Sequence, residues 1–284
     1  MTMEKTFQIG DFCFKVQYPD SIHPPKNFLL FETDSPNEYT YMIEICESFP
    51  EIKGQFVVQR PDLIVYDNQG LEVRLLGVKG IEGHYACYIE EQNNTAHIYL
   101  NPERLKGLSI DPMFTSLFAL EKQMLKKHQL VLHCAYVCHD GKAILFSAPS
   151  ETGKTTQANL WEKYMNSKTI NGDRALLKKN HHQWIAQGWP VCGSSEVCHH
   201  IQTPVKAIVM LKQGPANHVE KLTPAQSFTQ LYSQMTINKW QVKDHMKAMD
   251  LIDQIIKDVP IYGLTCTISK EAVEVLAVAL KIAQ

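Results

Sequence analysis

No stretch of this 284-residue chain is apolar for long enough to span a membrane, which takes about twenty residues. Charge of one sign is not in excess. Lys and Arg number 28 against 30 Asp and Glu, a net charge of −2. That leaves no basic footprint for nucleic acid or an anionic lipid surface. Paired cysteine spacing is missing too. The eight cysteines lie singly, as reduced thiols do and a disulfide framework does not. Cys134, Cys138 and His139, and further on Cys192, Cys198, His199 and His200, lack the spacing of a structural zinc site. They read as scattered thiols and imidazoles. The opening Met1-Thr2-Met3-Glu4-Lys5-Thr6 has no signal-peptide apolar core, so the expectation is a cytoplasmic protein.

Apolar residues make up 44% of the chain, enough for real cores, and the length suits two modest domains. The expected division is a β-rich unit over 1–127 and a second unit over 128–284. In the first, 12–16, 39–45, 55–58, 71–76, 85–89 and 96–100 read as short strands of an antiparallel sheet with one buried face. Its few histidines and acidic residues are expected at the surface. Asp111-Pro112 is expected to open one helix, with the aspartate as cap, running to Lys127.

The second unit is organised around Ala148-Pro149-Ser150-Glu151-Thr152-Gly153-Lys154-Thr155-Thr156. An apolar run, Ala143 to Phe146, precedes it, and helical spacing follows to Tyr164. A strand, a tight loop ending Gly-Lys-Thr and a helix form a phosphate-binding arrangement. The first helical turn has backbone N–H groups without partners, and the helix dipole puts partial positive charge there. Ser150, Glu151, Thr152, Gly153, Lys154, Thr155 and Thr156 are therefore the expected nucleotide contacts. Lys154 is a point charge for phosphate, and Thr155 a hydroxyl for Mg²⁺. Ala148 stands where the pattern has its first glycine, which is tolerable only at negative φ. Glu151 must point to solvent.

His139-Asp140-Gly141-Lys142 lies between two apolar runs, a hairpin signal. The strand that feeds the loop is thus expected to pair antiparallel with its predecessor. After the loop helix, 168–177 reads as a strand broken at Asp173. A second hairpin turns at 179–182, and Gly188 to Ser195 reads as a loop able to approach a ligand. A buried strand at 207–211, a short strand at 261–265 and three helices follow. Thr223 and Ser269 cap the first and third helices, and Met246, Met249, Ile252 and Ile255 line the middle one.

The run from His133 through Gly153-Lys154-Thr155 to Asp173 resembles the HPr kinase and phosphoenolpyruvate carboxykinase type of phosphate-loop fold. Gly188-x-Pro190-x-x-Gly193 and the 204–208 strand look like the small HPr-kinase-like serine kinases of peptide-modification gene cassettes. The resemblance implies an α/β (α+β) fold, with a mixed sheet and flanking helices after the β-rich unit. It also implies a cytoplasmic ATP-dependent, Mg²⁺-dependent kinase that transfers the γ-phosphoryl group to a hydroxyl, serine above all, of a peptide or small protein. HPr kinases proper carry paired aspartates where this chain has Gly172-Asp173, so a single carboxylate remains.

Under that resemblance Asp173 is the base or a Mg²⁺ ligand beside Thr155. His133 donates to the transferring phosphate, and Arg174, read from residue type, is a candidate to stabilise its equatorial oxygens. From the residues alone, Asp173 also reads as a turn aspartate, His133 as a core histidine and Arg174 as half of a surface ion pair. Ser194 and Ser195 are either N–H donors to substrate or plain loop. A non-catalytic ATP-binding regulatory module and a small-molecule (free serine type) kinase are the alternative functions.

Overall fold

The computed structural model describes residues 1–282. The chain folds as two compact units, Met1–Gln123 and Met124–Gln284, in a mixed α+β architecture. The first unit carries β1 (Thr2–Ile9), β2 (Phe12–Pro19), α1 (Lys26–Leu29), β3 (Tyr39–Ile45), β4 (Gln55–Arg60), β5 (Leu63–Asn68), β6 (Leu71–Val78), β7 (Ile81–Glu91) and β8 (Thr95–Leu100). These strands form one sheet in the order β1-β2-β3-β8-β7-β6-β5-β4. It is the expected antiparallel sheet with two parallel pairings, β2 with β3 and β3 with β8. A cluster of aromatic side chains, among them Phe7, Phe14, Phe28, Phe114 and Phe118, fills its core.

Two expectations fail here for physical reasons. The helix expected over 111–127 is two helices, α2 (Asp111–Ser116) and α3 (Leu120–Lys126). Ala119 takes a left-handed φ of 47° between them. The Phe118 carbonyl accepts from the buried Tyr41 hydroxyl at 2.8 Å. Asp111 lies inside the first turn of α2, and Ile110 is its cap. The acidic residues are not all at the surface either. Glu72 and Glu90 are buried because cations reach them. Arg74 contacts Glu72 at 2.6 Å and Glu121 at 2.6 Å, and Lys122 pairs with Glu90.

The second unit begins with the hairpin β9 (Leu130–His139) and β10 (Lys142–Ser147), turned by Asp140 and Gly141 at positive φ as expected. The elements α4 (Lys154–Met165), β11 (Lys168–Asn171), β12 (Arg174–Asn180), β13 (Gln183–Gly188), β14 (Gln202–Gln213), β15 (His218–Lys221), α5 (Pro224–Gln234), α6 (Val242–Asp258), β16 (Ile261–Cys266) and α7 (Lys270–Ala279) follow. The strand order is β10-β9-β12-β13-β14-β16-β15, and a parallel β10–β14 pairing closes the first five strands on themselves.

Alternate residues of a strand face opposite sides. Leu132, Cys134 and Tyr136 of β9 join a core with Leu231 of α5 and Leu251, Ile252 and Ile255 of α6. Ala135 and Val137 join another, with Trp161 of α4 and Val273 and Leu276 of α7. β9 and β10 are thus buried on both faces, and their sequences read as near-continuous apolar runs. On α6, Met246 and Met249 are exposed, contrary to expectation. Ala248 carries the buried stripe instead, in step with Leu251, Ile252 and Ile255.

Candidate active site

β9 brings the site together. It pairs antiparallel with β10 on one side and β12 on the other. Cys134 stands opposite Ser147, the last residue before the loop, and His133 stands opposite Arg174. The Ser147 hydroxyl donates to the His133 carbonyl at 2.7 Å, and the Cys134 amide donates to the Asp173 carbonyl at 2.9 Å. The loop, His133 and Asp173 therefore meet at one edge of the sheet. They line a cavity of about 360 Å³. Ser150, Glu151, Gly153, Lys154, Thr155 and Thr156 contribute from the loop and the start of α4. His133, Gly172, Asp173, Gly193 and Ser194 complete it. Thr152 is absent from that lining, and its carbonyl accepts from Gln213.

The loop geometry follows from its residues. Gly153 is the cap of α4 at φ 106°, a conformation that suits glycine, and no side chain caps the helix. The N–H groups of the first turn thus lack a side-chain partner. Ala148 does not take positive φ, which meets the condition on that position. Glu151 is exposed, at φ 65°. The Lys154 ammonium folds back on its own loop, donating to the carbonyls of Ala148 at 3.0 Å and Pro149 at 3.1 Å. Burial pulls its pKa down, and the charge of Asp173 works the other way.

Asp173 sits in a net of donors. His133 Nε2 lies 3.5 Å from Oδ1, and Arg174 Nε donates to Oδ2 at 3.0 Å. Burial raises the carboxyl pKa. The His133 hydrogen bond and the Arg174 charge outweigh that and hold it below its ordinary value. Arg174 Nη1 donates to the Thr236 hydroxyl at 2.9 Å, and Gln234 Oε1 faces His133 Nδ1 at 3.3 Å. Both ring nitrogens of His133 thus face side-chain oxygens.

Three positioning residues escaped the sequence reading. Asn171 is fully buried, and its Oδ1 accepts from the amides of Asp173 and Arg174, both at 2.9 Å. Its Nδ2 donates to the Trp189 carbonyl at 2.7 Å. Asn before Gly-Asp is an Asx-turn pattern, and it was legible. Gln234 ends α5 and Thr236 lies just beyond it, remote in sequence, and nothing local marks them.

Gly172 has a packing reason. A Cβ there would stand 1.8 Å from Ser195 Oγ and 2.3 Å from Ser195 Cβ. The Ser195 hydroxyl donates to the Cys192 carbonyl at 2.7 Å and accepts from the Val197 amide at 3.2 Å. Ser195 thus fills the space a second carboxylate would need, and ties down its own turn. Among the described residues no three His, Cys, Asp or Glu side chains gather as a metal site.

These features define an α+β protein whose second unit gathers a Gly-Lys-Thr strand–loop–helix and one aspartate around a cavity. Residues 99–281 match the family described as SynChlorMet cassette protein ScmC. More than half of the chain is covered, and the chain belongs to that family. No curated protein matches it. Among solved structures it is similar to the HPr(Ser) kinase/phosphatase from Coxiella burnetii, at 12% identity and a TM-score of 0.30, over 53% of this chain and 92% of that one. A score that low carries no function across. No helix among the described residues is long and apolar enough to cross a membrane.

Proposed function

We propose that this protein is an ATP-dependent kinase that transfers the γ-phosphoryl group to a hydroxyl, serine above all, of a peptide or small protein. One observation carries the reading: Lys154, the uncapped start of α4 and the Asp173 carboxylate converge on one cavity. Phosphoryl transfer needs positioned phosphates, charge neutralisation and an oriented nucleophile. The free N–H groups of α4 receive phosphate oxygens. Lys154 exchanges its two loop carbonyls for the β- and γ-phosphates, a better partner for a buried ammonium.

Thr155 and Asp173 would hold Mg²⁺, which neutralises phosphate charge when bound. One carboxylate and one hydroxyl suit that ion, which takes its remaining ligands from water and phosphate. Asp173 orients the acceptor hydroxyl and takes its proton. Its lowered pKa makes it a weak base, which suffices where the transition state is loose. His133 and Arg174 keep it ionised and in place.

Labelled ATP and a panel of serine-containing peptides test this. Labelled peptide from the wild type, lost in Lys154→Ala and Asp173→Asn, is the expected result. Retained ATP with no labelled acceptor refutes the kinase. The filled space at Gly172 favours the second reading, an ATP-binding regulatory module, which predicts that outcome.

A further inference from the structure

Four hydroxyl side chains line the cavity: Ser150, Thr155, Thr156 and Ser194. The first three belong to the loop and helix start that hold phosphate under the reading above. Attack on phosphorus comes in line, from the side opposite the leaving oxygen. A nucleophile on the phosphate-holding segment itself is poorly disposed for that. Ser194 belongs to a different segment, the turn Gly193–Ser195.

Two further features set Ser194 apart. First, it is exposed, and its hydroxyl meets no hydrogen-bond partner among the described residues. Its neighbour Ser195 is committed to Cys192 and Val197. Second, the turn rests directly on the carboxylate. A Cβ on Gly193 would lie 3.2 Å from Asp173 Cβ and 3.3 Å from Asp173 Oδ1. Gly193 at φ 60° lets the backbone approach that closely, and Ser195 packed over Gly172 fixes the turn. The result is an unengaged serine one residue from the aspartate contact.

We propose that Ser194 is an acceptor for this protein's own kinase activity, and is phosphorylated within the same chain. The inference rests on the kinase reading of the cavity. Ser194 Oγ forms a bond to the γ-phosphorus, and the bond from that phosphorus to the bridging oxygen breaks. ADP leaves, and the hydroxyl proton passes to the Asp173 carboxylate. No oxidant, reductant or further reactant is needed.

The test uses the full chain with Mg²⁺ and ATP, intact-mass measurement and peptide mapping, with calorimetry of ATP binding in parallel. One phosphoryl group per chain is expected, on Ser194, at a rate per chain that does not change with protein concentration. Ser194→Ala should lose the label, with its melting curve unmoved. Ser194→Thr should carry the label as phosphothreonine, and Lys154→Ala should carry none. Label persisting in Ser194→Ala, mapping elsewhere, or absent despite bound ATP overturns the inference and leaves the kinase reading standing. Absence of ATP binding to the wild type overturns both.

Discussion

Gly172→Ala is the substitution whose outcome the structure defines most sharply. The new methyl group would lie 1.8 Å from Ser195 Oγ and 2.3 Å from Ser195 Cβ. A rotamer change moves Oγ but not Cβ, so the backbone of the 192–197 turn has to shift. Overpacking of that kind costs about 1–3 kcal/mol. Ser195→Gly alone gives up two hydrogen bonds, worth about 1 kcal/mol each. The two changes should not add. Glycine at 195 makes room for the methyl group, so the double variant should be about as stable as Ser195→Gly alone, a coupling of about 1–3 kcal/mol. Ser195→Ala keeps the offending Cβ and should not rescue.

Urea unfolding followed by tryptophan emission reads the right unit. Trp161, Trp184, Trp189 and Trp240 all lie in the second one. Midpoints should move with unchanged slopes. A neutral Gly172→Ala, or additive free energies in the cycle, would refute the packing account of Gly172.

Three further outcomes are expected. Arg74→Ala strands Glu72 and Glu121 without their shared cation and should destabilise the first unit by about 3–5 kcal/mol, seen in circular dichroism melts; an unchanged melt would contradict the pairing. Asp173 has its folded pKa held below the unfolded value of about 3.9, so its contribution to stability is full above that pH and lost as pH falls through the folded value. The urea midpoint of the wild type should therefore fall toward that of Asp173→Asn as pH drops below about 4; a gap that widens on acidification would reverse the sign. Asp173→Asn should also cut phosphotransfer by at least about a hundredfold, the usual scale for a lost acid–base group, while full turnover would remove Asp173 from the chemistry.

Local patterns carried most of the second unit. The Asp140-Gly141 turn, the Thr223 and Ser269 caps and the strand–loop–helix around Lys154 each depend on neighbours in sequence, and each formed where expected. At the break, the Phe118 carbonyl beside Ala119 accepts from Tyr41, 77 residues from Phe118, and no local window contains that bond. Buried Glu72 and Glu90 are the same lesson, since a charge can enter a core only when distant cations meet it. At the site, residue type alone singled out Lys154 and Asp173, and both line the cavity. The space that Ser195 takes beside Gly172, and the contacts from Gln234 and Thr236, arise only when β9, β12, the Gly193–Ser195 turn and the end of α5 come together.

Calorimetric titration of the purified protein with Mg²⁺ and ATP tests the central claim most directly. One site per chain in the wild type, with heat lost in Lys154→Ala, is the predicted result. A wild type that takes up no ATP at millimolar concentration would contradict it.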